Sequence, residues 1–198
     1  MDLSKLSELE IEALRELGNI GVGHAATSLS QLLGKTVEMN VPRVEITEIS
    51  RVHEVIKADK VVAGVVAGLN DIDKGLAGYL YIVFPDSAEK KIAEIMMIEE
   101  DMIESALTEI GNILSSSFCN ATAEMLGAIL MPTPPDFARD YLIAIIDALL
   151  AQLVAKWDRV IIFDTQLKDE SQSVNIEVIL IPSEGLMEYI KKLVDMVE

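Results

Sequence analysis

Apolar positions recur at helical spacing from about residue 7 to residue 33, in the alternating three-and-four register that lays one hydrophobic stripe along a helix. Asp2, Ser4 and Ser7 are candidate N-caps, and Gly34 supplies the stop. Residues 36–41 read as a strand ended by Pro42. Residues 61–69 and 78–84, rich in Val, Ile, Tyr and Gly, flank the turn-forming run Asn70-Asp71-Ile72-Asp73-Lys74-Gly75 and predict a hairpin. A short helix capped by Asp86 extends to about Met97, and a second long amphipathic helix covers roughly 99–127. Pro132-Thr133-Pro134-Pro135 then breaks the chain before a very apolar run over 141–157, interrupted by Asp147 and Gln152 and read as a buried helix. Residues 160–163 and 174–181 predict another hairpin, and 183–197 a closing amphipathic helix.

Runs of helix with antiparallel hairpins, lacking strict strand–helix alternation, predict an α+β fold: a meandering antiparallel sheet with helices on one face. The chain also repeats itself. Glu16-Leu17-Gly18-Asn19-Ile20 returns as Glu109-Ile110-Gly111-Asn112-Ile113, an offset of 112 − 19 = 93. The same offset relates Ala13 to Ala106, Leu14 to Leu107, Leu33-Gly34 to Leu126-Gly127 and Pro42 to Pro135. A repeat this long is one folding unit used twice. It predicts a single domain over 1–198, built of two halves (about 1–98 and 99–198) related by a pseudo-two-fold axis.

On a helical wheel Glu12, Glu16, Asn19 and Gly23 share one narrow stripe, opposite Leu14, Leu17, Gly21, Ala25, Ser28 and Leu32. The second long helix sets Ser105, Glu109, Asn112 and Ser116 against Leu107, Ile110, Leu114, Phe118, Ala121 and Met125. A Glu and an Asn three apart usually mark only a solvated face. Asn is a mediocre helix former, by about 0.5 kcal/mol against Ala, so nothing in folding asks for it twice. Retention of Glu-x-x-Asn in both halves, where Gly21-Val22-Gly23-His24 has diverged to Leu114-Ser115-Ser116-Ser117, marks Glu16, Asn19, Glu109 and Asn112 as functional candidates. Gly18 and Gly111, at the flank of the apolar face, are read as close-packing positions.

The 198 residues are 51% hydrophobic and suffice for a substantial core. Thirty-three acidic against sixteen basic residues give a net charge of −17, which disfavours nucleic acid and an anionic membrane as partners. A single cysteine, Cys119, permits no intrachain disulfide. With an N-terminus lacking the order of a signal peptide, this predicts a cytoplasmic protein. No phosphate-binding Gly loop, H-E-x-x-H or G-x-S-x-G is present, so the expectation is no cofactor or metal of the chain's own. What an amide and a carboxylate at helical spacing can do is complete a partner's centre. The amide orients a water by donating and accepting at once, and the carboxylate pairs with a lysine.

These residues resemble the CheC/CheX/FliY family of chemotaxis phosphatases, whose motif is Asp or Ser, three residues, Glu, two residues, Asn, then twenty-two residues to a Pro. The second half fits through Ser105, Glu109, Asn112 and Pro135; the first fits through Glu16, Asn19 and Pro42, with Glu12 where Asp or Ser is expected. The resemblance implies a pseudo-symmetric α+β domain with both motif helices exposed on one side of the sheet. It implies dephosphorylation of the response regulator CheY, with Asn19 and Asn112 placing water and Glu16 and Glu109 docking to a regulator lysine. Mg²⁺ would belong to phosphorylated CheY, and the receptor deamidase CheD would be a second, modulating partner. The alternative is a non-catalytic adaptor for CheD or a flagellar switch component.

Overall fold

The computed structural model describes residues 6–56, 60–153 and 158–196. Helix α1 (Glu8–Leu33) is opened by a reciprocal capping box between Ser7 and Glu10, worth about 1 kcal/mol, and closed by Gly34 at φ 61°. The other cap candidates, Asp2 and Ser4, lie outside the described residues. The chain continues through β1 (Val37–Met39), β2 (Arg43–Glu48), a 3₁₀ turn, α2 (Val52–Val55), β3 (Val61–Asp71), β4 (Gly75–Phe84) and α3 (Asp86–Met96). Asp86 sits in the first turn of α3 and pairs with Lys90 at 2.8 Å, while Pro85 holds the cap position expected for Asp86. The second half repeats the order: α4 (Ile103–Leu126, ended by Gly127 at φ 60°), β5 (Leu130–Pro132), β6 (Asp136–Tyr141), α5 (Leu142–Leu153), β7 (Arg159–Asp169), β8 (Asn175–Pro182) and α6 (Glu184–Asp195).

Among the described residues eight strands form one antiparallel sheet in the order β1-β7-β8-β4-β3-β5, with β2 extending β1 along β7 and β6 extending β5 along β3. The halves therefore exchange strands. β1 and β2 of the first half pair with β7 of the second, β5 and β6 of the second pair with β3 of the first, and β4 and β8 meet at the centre, Leu80 opposite Leu180. Strands β2, β5 and β6 were not expected from the pattern of residues. β6 is polar along most of its length, and β5 is only three residues bounded by proline.

The sheet is covered on both faces, not one. Alternation along the strands sends Leu80, Ile82, Ile176, Val178, Ile161 and Phe163 into the core beneath α1, α4, α3 and α6. Tyr81, Val83, Ile179, Ile181, Val160 and Ile162 point the other way and require a second cover. Val52 of α2 and Leu142, Ile145, Ile146 and Leu150 of α5 supply it. Ala144, Asp147 and Ala148 remain exposed, so α5 buries one side only, unlike the buried helix expected over 141–157; residues 154–157 lie outside those described.

Each long hairpin ends on a buried aspartate. Asp71 Oδ1 accepts the backbone N–H groups of Asp73 and Lys74, and Tyr189 donates its hydroxyl to Oδ2. Its counterpart Asp169, 169 − 71 = 98 residues on, accepts from Val174 N, Ser171, Ser173 and Lys35 Nζ. Burial alone would raise the Asp169 carboxyl, but these hydrogen bonds outweigh it and hold it well below the ordinary carboxylate value. A depressed folded-state value contributes stability above the unfolded carboxyl's titration near pH 4, and that stability is lost as pH falls further. Asp169→Asn is expected to cost about 1–3 kcal/mol at pH 7. In urea melts the gap from wild type should close below about pH 4; a pH-independent gap would contradict the assignment.

Candidate functional site

Two repeated glycines set the helices on the sheet. A Cβ on Gly18 would lie 2.0 Å from Phe163 Cε2, and one on Gly111 would lie 2.3 Å from Val65 Cγ1. Phe163 and Val65 are themselves counterparts, 163 − 65 = 98, so each motif helix rests on the long strand of the opposite half. The close packing expected at these glycines is present, against strands. α1 and α4 also pack on each other in opposite directions. Gly21 faces Phe118 and Thr122, and the Ser28 and Ser117 hydroxyls are 2.7 Å apart.

With one side of each helix fixed this way, the motif residues are turned outward. Glu12, Glu16, Ser105 and Glu109 are exposed; Asn19 and Asn112 are half-buried. Among the described residues, Glu16, Asn19, Glu109 and Asn112 have no side-chain hydrogen-bond or ion-pair partner, whereas Glu12 is bound to Arg15. Gly23, one turn beyond Asn19, has open space where a Cβ would stand. The antiparallel packing puts the two Glu/Asn pairs towards opposite ends of the helix pair, so each is a separate site.

Pro42 is buried and Pro135 half-buried, each directly before a strand. From Met39 to Arg43 the first edge advances four residues while β7 advances three, Leu167 to Asp164. From Pro132 to Asp136 the second edge does the same against β3, Leu69 to Val66. The prolines thus stand at a kink where the ladder is interrupted and a missing N–H costs nothing. Their place in the motif is to bend the strand that follows the motif helix.

Residues outside the repeated motif complete the surroundings. The first site lies in a groove lined by Leu9, Ala13, Arg15, Met125, Leu193 and Val194 besides Glu12, Glu16 and Asn19. The second has a depression lined by Asp101, Glu104 and Thr108 with Ser105 and Glu109. Cys119 is buried and its thiol is pushed up to about 12 by burial, which leaves it a small core residue. His24 and His53 are exposed. No group of three His, Cys, Asp or Glu side chains stands close enough to hold a metal ion, and no helix is long and apolar enough to cross a membrane, among the described residues.

The model of the CheC-like family matches residues 9–46 and 102–139, two equal segments offset by 93 that begin at the start of each motif helix and end in the strand after its proline. Over 190 residues the chain is 30% identical to the CheY-P phosphatase CheC of Bacillus subtilis, covering 89% of this chain and 90% of that protein. The crystal structure of Thermotoga maritima FliY superposes with a TM-score of 0.73 at 22% identity, covering 98% of this chain and all of that one. The FliM middle domain of H. pylori shares the fold, with a TM-score of 0.65 at 12% identity over 94% of this chain and 99% of that one. With a doubled motif, a matching strand-exchanged fold and a relative at 30% identity along nearly its whole length, the chain belongs to the CheC-like family.

Proposed function

We propose that the chain is a phosphatase for the aspartyl phosphate of a CheY-type response regulator in chemotaxis, with two sites, Glu16/Asn19 and Glu109/Asn112. The observation that carries this reading is the pair of Glu-x-x-Asn constellations, outward-turned and without partners in the described part of the chain. The name of the Bacillus subtilis relative supports the substrate. In this reading each Asn amide donates to a phosphoryl oxygen and accepts from a water held in line with the scissile bond. Water attacks phosphorus, the bond from phosphorus to the aspartyl oxygen breaks, and inorganic phosphate leaves with the regulator's carboxylate restored. Such a reaction needs positioning and charge stabilisation more than covalent help from the protein. Mg²⁺ and the phosphate-contacting lysine arrive with the substrate, and Glu16 and Glu109 pair with that lysine. Modulation by CheD belongs to the same reading and rests on the family resemblance, and a cytoplasmic setting rests on the single cysteine and the character of the N-terminal residues.

The division of labour is testable. Glu16→Gln/Glu109→Gln is expected to raise KM for the phosphorylated regulator several-fold with a smaller change in kcat, because docking is shared by ground state and transition state. An unchanged KM with a large fall in kcat would place the glutamates in the chemistry instead.

A further inference from the structure

The two sites are counterparts in backbone but not in what surrounds them. In the first groove the carboxylate of Glu12 is taken up by Arg15, and the remaining wall is apolar: Leu9, Ala13, Met125, Leu193 and Val194. At the second site, Thr108 stands where Arg15 stands, 108 − 15 = 93, and its hydroxyl is turned back to Glu104 O. Asp101, Glu104 and Glu109 line the depression with no ion-pair partner among the described residues, and Glu99 and Glu100 extend the acidic run. Among the described residues the first site thus carries two carboxylates and one guanidinium, and the second three carboxylates, with Arg139 near Glu104 but already paired to Glu89. Acidic first turns suit any helix N-terminus, yet Glu8 and Glu10 give α1 the same feature without making its groove acidic. The difference arises at Arg15 versus Thr108 and in the apolar wall contributed by α4 and α6.

We propose that the two sites hold the regulator by different forces: Glu16/Asn19 docks it through an apolar contact in the Leu9/Met125/Leu193 groove, and Glu109/Asn112 docks it through a basic patch beside its phosphorylation pocket. The proposal rests on the phosphatase reading, and the occupant is the same protein at both sites. The apolar groove is continuous with Glu16 and Asn19, so whatever places a phosphoryl group at Asn19 must cover it. At the second site Glu109 and its two acidic neighbours, Asp101 and Glu104, repel a negative surface and attract a positive one. Contacts between exposed charges weaken as salt shortens their range, whereas apolar burial does not.

The test uses the full chain with one site silenced at a time. With Asn19→Ala, which leaves the second site, kcat/KM for the phosphorylated regulator is expected to fall about tenfold or more between roughly 50 and 500 mM NaCl. With Asn112→Ala, which leaves the first, the fall should be several-fold smaller, because the Glu16–lysine pair is the main charge contact left to screen. Asp101→Asn/Glu104→Gln in the Asn19→Ala background should flatten the salt dependence. Leu9→Asn in the Asn112→Ala background should raise KM, and Leu9 is 49% exposed, so folding tolerates the change. Equal salt slopes in the two single-site variants would overturn the proposal while leaving the phosphatase reading intact. Full activity in the Asn19→Ala/Asn112→Ala double variant would overturn the reading itself.

Discussion

Asn112→Ala is expected to remove roughly 10²- to 10³-fold of the turnover at its own site, the scale of losing one preorganised hydrogen-bonding group in other enzymes. It should also lower total activity more than Asn19→Ala does. The second site has the complete motif, with Ser105 exposed and without a side-chain partner among the described residues, whereas its counterpart in the first is Glu12, tied to Arg15. The check is steady-state hydrolysis by each single variant, with circular dichroism to verify the fold. Both asparagines are half-buried at the surface and without side-chain partners among the described residues, so their removal leaves no buried group there unsatisfied. Equal losses from the two variants would defeat the asymmetry.

Gly111→Ala is the second substitution expected to have a large effect, this time on stability. In most helices Gly→Ala gains about 1 kcal/mol. Here the new methyl would sit 2.3 Å from Val65 Cγ1 and 2.8 Å from Val65 Cβ, on a strand fully buried at that point. Val65 Cβ cannot swing aside, so helix and strand must separate, at a cost of about 1–3 kcal/mol or more. Gly18→Ala faces the same problem against the Phe163 ring, which is wholly buried. Gly23→Ala is the internal control, because nothing stands within 4 Å of the point its Cβ would occupy. It should raise the melting temperature while Gly18→Ala and Gly111→Ala lower it. If all three shift the same way, the helices are not seated on the strands as described.

The long helices and their motif were legible because an α-helix writes its exposed stripe into sequence at a fixed period, and a duplication writes it twice. Ser7, Gly34 and Gly127 could be read for the same local reason. The pairing of strands could not. Nothing near Val37 or Leu130 in sequence says that each will pair with a strand of the other half. The duplication itself faded from view after Pro135, because α5 is longer than the 3₁₀ turn and α2 that correspond to it. The offset consequently changes from 93 to 98, which hid Val65 opposite Phe163 and Asp71 opposite Asp169. β2 was within reach, since Val44 and Ile46 alternate with Glu45 and Thr47; reading Pro42 as the end of a strand concealed that it is a kink in one. The apolar wall of the first site was out of reach, because Leu193 and Val194 enter from the last helix of the chain.

If the two asparagines perform the chemistry, the chain speeds loss of the aspartyl phosphate only through them. The most direct measurement is the decay of the aspartyl phosphate on a Mg²⁺-bound, phosphorylated CheY from the same source, with no addition, with wild type, and with Asn19→Ala/Asn112→Ala. Faster loss of phosphate with wild type, and a rate with the double variant close to the regulator's own, is the predicted result. Acceleration by the double variant equal to that of wild type, or none by wild type with CheD also present, would contradict it.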